Sequence, residues 1–179
     1  MKTLVSIPAI MPENNRISLL EYCGVYKKYK AHGSYLFYQA IGYTTLVSPM
    51  DFILDEMEGL WSYQYKLPSG YVNKTPWFRF GEPFEQEVGF RREVFETVVD
   101  TLGENMMVIK LTPDKVGRRR IEIVMEFTPC GQMISTTHLM RREGFWFSCW
   151  RFFTCQMKDT DRGLEERVYF KKSGSFTVK

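Results

Sequence analysis

The residue with the clearest chemical task is an arginine set in an apolar strand. Phe145 to Thr154 alternates so that Phe147, Cys149, Arg151 and Phe153 share one face, while Trp146, Ser148, Trp150 and Phe152 share the other. An inward arginine is costly unless it is paired and hydrogen-bonded. It is also well made to hold a carboxylate through two parallel hydrogen bonds. The competing reading is that Arg151 faces outward, or pairs with Glu126 or another carboxylate, and serves stability alone. Other reactive side chains are sparse. His32 and His138 fall in different settings with no evident partner, and Ser135-Thr136-Thr137-His138 matches no nucleophile motif. Cys23, Cys130, Cys149 and Cys155 include no C-x-x-C spacing, so neither a zinc site nor any other metal centre is expected. Their even number permits two disulfides, but a domain of this size requires none. Arg118-Arg119-Arg120 follows Gly117 and reads as a solvated hairpin end.

The elements that must position these residues come from a chain of 179 residues, the length of one domain. Hydrophobic residues make up 44% and charged residues 25%, enough for a real core in a soluble protein. Aromatic residues reach 16% and sit in short clusters separated by charge, which favours pleated strands over helices. A net charge of +3 is too small to argue for a nucleic-acid partner. The apolar stretch Thr3 to Ile10 is broken by Pro8 and has no convincing cleavage site, so it reads as a loose arm and the expected location is cytoplasmic. No apolar run is long enough to span a bilayer.

Tyr22 to Lys30 reads as a first strand bent at Gly24. The period then changes: Ser34 as N-cap, Tyr35 to Ile41 and Gly42 as the C′ residue predict a helix, with a second helical piece at Thr44 to Val47 ended by Pro49. From Asp51 onward strands and turns alternate: Phe52 to Asp55, Leu60 to Lys66, Trp77 to Phe80, Phe84 to Val88, Glu93 to Thr101, Asn105 to Leu111, Arg119 to Thr128, Gln132 to Met140 and Phe145 to Thr154. About ten short, evenly spaced strands with one helical insertion suggest a closed up-and-down barrel, which leaves no exposed edge. In Arg119 to Thr128 the inward face is Ile121, Ile123, Met125 and Phe127, and Glu122 and Glu126 face out. The outward Trp146, Trp150 and Phe152 make a patch that the segment after Cys155 is placed to cover.

Tyr22-Cys23-Gly24-Val25-Tyr26 and Ala40-Ile41-Gly42 resemble the opening strand and closing helix of the intracellular lipid-binding proteins, the fatty-acid- and retinoid-binding family. Phe80-Gly81-Glu82-Pro83-Phe84-Glu85 resembles that family's Leu-Gly-Glu-x-Phe-(Asp/Glu). Cys149-Trp150-Arg151-Phe152-Phe153 looks like its final strand, Cys-x-Arg-x-Tyr. The resemblance covers about Leu20 to Cys155. It implies a mainly β, lipocalin- or calycin-like fold: a ten-stranded antiparallel up-and-down barrel with a short helix-turn-helix lid after the first strand. The expected division is an irregular arm at 1–19, the barrel at 20–155 with its lid at about 34–47, and a C-terminal extension at 156–179 that supplies an added strand. Arg151 then sits at the carboxylate-binding position. Phe153 replaces the usual headgroup tyrosine, and Met125 takes the place of a second interior arginine. Phe37 and Tyr38 match lid positions, Tyr71 a portal aromatic, and Arg92 a portal position often basic in relatives. A second register stays open, because Arg167-Val168-Tyr169 reproduces Arg-x-Tyr more closely, with Arg141 as the second arginine. It requires an inserted strand, whereas Glu93 to Phe127 aligns almost without gaps, which favours Arg151.

The expected function is therefore to bind and carry a small hydrophobic ligand, a fatty acid or related lipid carboxylate, inside the barrel. Burying an acyl chain contributes roughly 0.8 kcal/mol per CH₂. No cofactor and no catalytic residue is expected. The partners are the ligand and, through the lid, a transient membrane contact, with the protein a monomer and no nucleic acid bound. Two alternatives stand beside it: a barrel enzyme acting on a small hydrophobic acid or ester, and a protein-interaction module with a filled barrel.

Overall fold

The computed structural model describes residues 19–33, 49–88, 93–114, 120–139 and 165–174. They form ten strands: β1 (Gly24–His32), β2 (Asp51–Met57), β3 (Leu60–Lys66), β4 (Val72–Lys74), β5 (Phe84–Val88), β6 (Glu93–Thr101), β7 (Met106–Pro113), β8 (Ile121–Phe127), β9 (Gln132–Leu139) and β10 (Glu165–Gly174). Every ladder is antiparallel, and the order is β4-β3-β2-β1-β10-β9-β8-β7-β6-β5. Apart from β4 and β5, strands adjacent in sequence pair with each other, and β10 returns to β1. The sheet thereby curls into a nearly closed barrel whose free edges are β4 and β5.

A period of two decides what faces inward. In β6, Phe95, Thr97 and Val99 are buried while Val94 and Glu96 are exposed. In β7 the buried set is Met107, Ile109 and Leu111, and in β8 Met125 and Phe127 are buried with Ile121 and Ile123 packed against them. The chain between β4 and β5 stitches the two edges together: Phe78 and Trp61 exchange backbone hydrogen bonds at 2.8 Å, and Gly81 N–H donates to Val99 O at 2.8 Å.

Two glycines let β1 lie against β10. Gly24 has φ +146°, and a Cβ there would stand 2.5 Å from the Gly174 carbonyl oxygen. Gly33, at φ +78°, leaves no room for a Cβ beside the Glu165 carbonyl. A side chain at either end would wedge the seam apart.

Two expectations are revised. Trp77 to Phe80 is not a strand. Pro76 removes a ladder donor, and Phe78 and Phe80 turn into the core, so the strand beside β3 is Val72–Lys74 instead. The barrel does not end at 155. The place between β1 and β9 belongs to Glu165–Gly174, whose alternation buries Glu166, Val168 and Phe170, while Phe145 to Thr154 lies outside the described residues. The lid expected at 34–47 also lies outside them, and no helix is an element of the fold among the described residues. None is long and apolar enough to cross a membrane.

The barrel has two distinguishable ends. The turns between β2 and β3, β6 and β7, and β8 and β9 lie at the end where β1 begins, called lower here. β1 ends, and β10 begins, at the upper end.

Candidate functional site

The inner wall is the candidate site, and its two ends differ in chemistry. At the lower end the aromatic rings of β1 and β8 interlock. Tyr22 stacks on Phe127 at 5.2 Å, Tyr26 meets Phe127 edge-on at 5.9 Å, and Leu19 closes the floor with no exposed surface. Trp61, Phe78 and Phe80 continue this floor under β3. Polar tips in this region are satisfied: Tyr26 Oη donates to Tyr22 O at 2.7 Å, and Asn105 Nδ2 donates to Phe127 O at 2.8 Å.

Higher up, polar groups enter the wall. β3 points Trp61, Tyr63 and Tyr65 inward at every second position. Tyr63 Oη accepts from Gln86 Nε2 at 3.1 Å, which ties β3 to β5 across the open edge of the sheet. Phe78 and Phe84 stack at 5.0 Å across the same gap. Tyr65 packs its ring on Phe52 at 5.2 Å, and its enclosed hydroxyl makes no well-formed hydrogen bond. Burial raises the Tyr65 phenol well above its ordinary range. Tyr63 and Glu166 add to the rise, and the nearby Ser135 hydroxyl opposes it. Ser135 on β9 and Glu166 on β10 thus share the interior with Tyr65. Thr97 on β6 is a second enclosed hydroxyl with no protein partner. The buried polar and charged residues among those described are Ser62, Thr75, Gln86, Thr97, Ser135 and Glu166. The set contains one acid and no lysine or arginine.

Of the residues singled out in the sequence, Met125 is fully buried on β8, opposite Met107 and Ser135. Tyr71 is half-buried on the β3–β4 turn at the upper end, its carbonyl accepting from Leu67 N–H at 2.8 Å. Arg151, Phe153, Phe37, Tyr38 and Arg92 lie outside the described residues. The alternative anchor, Arg167, is on the closing strand but faces out, its Nη2 2.7 Å from Glu165 Oε1. The inward position next to it is Glu166.

The sequence did not reveal that both histidines would meet at this strand. His138 Nδ1 lies 3.8 Å from Glu165 Oε2 across β9–β10, and His32 is opposite Arg167 across β1–β10. His32, Gly33, Glu165, Arg167 and Tyr169 edge an open cleft of about 380 Å³ on the outer surface. Lys30 Nζ stands 5.6 Å over the Tyr169 ring beside it. Among the described residues no group of three or more His, Cys, Asp or Glu is placed to hold a metal ion. The two described thiols differ: burial, with Asp55 and Glu56 adding to it, pushes Cys23 up to about 12, whereas the exposed Cys130 is lowered, first by its hydrogen bond with Thr128.

No protein-family model matches the chain, and no curated protein sequence matches it. Solved structures do match. Apo lipid binding protein 8 of Caenorhabditis elegans aligns with 92% of this chain and 100% of its own, with a TM-score of 0.62 and 14% identity. The fold is that of the lipid-binding β-barrels. As-p18, an extracellular fatty acid binding protein, covers 86% of this chain and 96% of its own at a TM-score of 0.57 and 10% identity. The zebrafish ileal bile acid-binding protein, solved with cholic acid, covers 84% and 98% at a TM-score of 0.54 and 12% identity. All three are named as binding proteins, and at these identities the likeness speaks for architecture alone.

Proposed function

We propose that this protein binds a small amphiphilic lipid inside its barrel and carries it, without chemical conversion. One observation carries the reading. The inner wall passes from an interlocked aromatic floor to a zone of buried hydroxyls, amide and carboxylate, two of whose hydroxyls make no well-formed hydrogen bond to protein. A wall built only for stability would leave neither unsatisfied, because an unmatched buried hydroxyl costs about 1–3 kcal/mol. An apolar chain lying on the aromatic wall with its polar end in the upper zone suits both halves. The similar solved structures named for lipid, fatty acid and bile acid binding support the same reading. A reducing, cytoplasmic setting is part of the proposal, supported by the free thiols of Cys23 and Cys130. A fatty-acid form of it, with the carboxylate on Arg151, depends on a position outside the described residues.

The test is displacement of an environment-sensitive naphthalene sulfonate dye by long-chain lipids of several head types, together with mass spectrometry of organic extracts of the gently purified protein. Saturable displacement and a co-purifying lipid are expected. A dye that never enters, or that no lipid displaces, would remove the carrier reading.

A further inference from the structure

We propose that the lipid this barrel prefers carries a hydroxyl or ketone oxygen along its apolar body, seated at Thr97 of β6 with Gln86 of β5 beside it. This rests on the carrier reading above and names a ligand class for it.

Three observations carry it. First, Thr97 has no exposed surface, and its Oγ1 is enclosed with no hydrogen-bond partner. Thr75 shows what a structural hydroxyl looks like in the same wall. Its Oγ1 accepts from Tyr63 N–H at 3.0 Å and donates to Tyr63 O at 3.2 Å, with the Ser62 hydroxyl 3.3 Å away. Were Thr97 there for packing alone, valine would fill the space with the same branched shape and leave no hydroxyl unmatched. Second, the hydroxyl lies in an apolar bed with one polar neighbour in reach. Thr97 is opposite Phe84 on β5 and Leu111 on β7, while Gln86, opposite Phe95, is its diagonal neighbour on the inner face. Gln86 Nε2 spends one N–H on Tyr63 Oη at 3.1 Å and carries a second. A ketone or hydroxyl oxygen over this pair accepts from the Thr97 hydroxyl and the Gln86 amide, and a hydroxyl can donate to Thr97 in return. A plain saturated chain satisfies neither. Third, the cover over Thr97 is the part of the wall best able to give way. Phe84 is only partly buried and sits on β5, a free edge with no ladder to β4. Its ring is held by stacking on Phe78 at 5.0 Å, so turning it aside uncovers Thr97 without breaking a strand pair.

The experiment uses the full chain and long saturated lipids, as acid and as alcohol. Each is plain or carries one hydroxyl or ketone at a chosen carbon along the chain, and each competes for the bound dye. One position should bind about tenfold more tightly than its positional isomers, the value of a good hydrogen bond, because elsewhere the same oxygen is buried against apolar wall. Thr97→Val should erase that advantage and leave the plain chains within about twofold of the parent, whereas Thr97→Ser, which keeps the hydroxyl, should retain it. Measured without lipid, Thr97→Val should melt at the parent's temperature or above it, because the lost hydroxyl bonds nothing in the protein. The proposal is overturned if every isomer binds alike or more weakly than the plain chain, or if the favoured isomer keeps its advantage in Thr97→Val. A Thr97→Val variant that melts below the parent would also overturn it, since the hydroxyl would then serve the fold. If the plain chains too fail to displace the dye, the carrier reading has failed, and the Thr97 assignment falls with it.

Discussion

The lower end of the barrel is an interlocked aromatic core, whereas the described part of the upper wall carries buried polar groups, and the contrast separates what holds the fold from what the wall can offer a guest. Below, Leu19, Tyr26 and Phe127 have no exposed surface, rings meet at 5 to 6 Å, and Tyr26 spends its hydroxyl on a backbone carbonyl. Above, Tyr65 and Ser135 bring polar atoms into the same interior, and the Tyr65 hydroxyl makes no well-formed hydrogen bond, with the Ser135 hydroxyl close by. Packing of the first kind resists any change of volume. Packing of the second kind is less stable alone and leaves hydrogen-bonding capacity for a guest. The two ends are joined by the β1–β10 seam, which glycines keep tight at Gly24 below and Gly33 above.

The largest effect should separate the two ends directly. Phe127→Ala removes a fully buried ring that touches both Tyr22 and Tyr26, and a core Phe→Ala change costs about 3–5 kcal/mol. Ser135→Ala, in the upper wall, removes only a hydroxyl that interacts with the Tyr65 phenol and should cost about 1 kcal/mol. Denaturant midpoints of the two variants measure the contrast. Equal losses would mean that the upper wall is as much a structural core as the floor.

A second effect is set by pH. The Cys23 thiol, beside the floor at the start of β1, is raised from 9.0 to about 12, chiefly by burial. A folded-state pKa above the unfolded one means that the folded state holds its proton longer. The contribution is therefore fully present below about pH 9 and is lost as the pH climbs from 9 towards 12. Tyr26, Tyr63 and Tyr65 are raised from 10.0 by the same cause and join the decline later. Stability should thus begin to fall near pH 9, and Cys23→Ala should postpone the onset towards 10. Denaturant unfolding across an alkaline series measures this. An onset that does not move in Cys23→Ala would take the thiol out of the account.

Much of the scaffold was legible because alternation is a local signal. Phe95, Thr97 and Val99, or Met107, Ile109 and Leu111, announce their face within one strand, and Leu60–Lys66, Phe84–Val88 and Glu93–Thr101 have the bounds that the sequence suggested. The inward series Trp61, Tyr63 and Tyr65 carried the same signal, but nothing local says which of two phenols finds a partner, because Gln86 lies on a different strand. Trp77 to Phe80 misled because three aromatic residues in four look like a strand, although here Phe78 and Phe80 plug the floor. The closing strand was harder still. Its Arg167-Val168-Tyr169 imitates a family motif, but the phase that buries Val168 and Phe170 also buries Glu166 and turns Arg167 outward. A buried acid in a strand that also offers an arginine runs against the rule that charges stay outside, so only the pairing of β10 with β1 and β9 reveals it.

The smallest expected effect concerns that arginine, and it tests the phase of the whole closing strand. Arg167 bonds Glu165 at 2.7 Å, with about half of its side chain open to solvent. An exposed pair of this kind is worth less than about 1 kcal/mol, since water competes for both partners and long side chains lose freedom on pairing. Arg167→Gln should therefore shift the denaturant midpoint little. Because the side chain lies on the outer face, it should also leave the head preference of bound lipid within about twofold of the parent. Glu166→Gln, one residue away on the opposite face, should change that preference, since it removes the one charge among the described buried residues. The contrast depends only on which side of β10 each residue faces. A loss of lipid binding in Arg167→Gln with no change in Glu166→Gln would require β10 to be turned over by one residue. Val168 and Phe170 would then be in water, and the register with β1 and β9 could not stand.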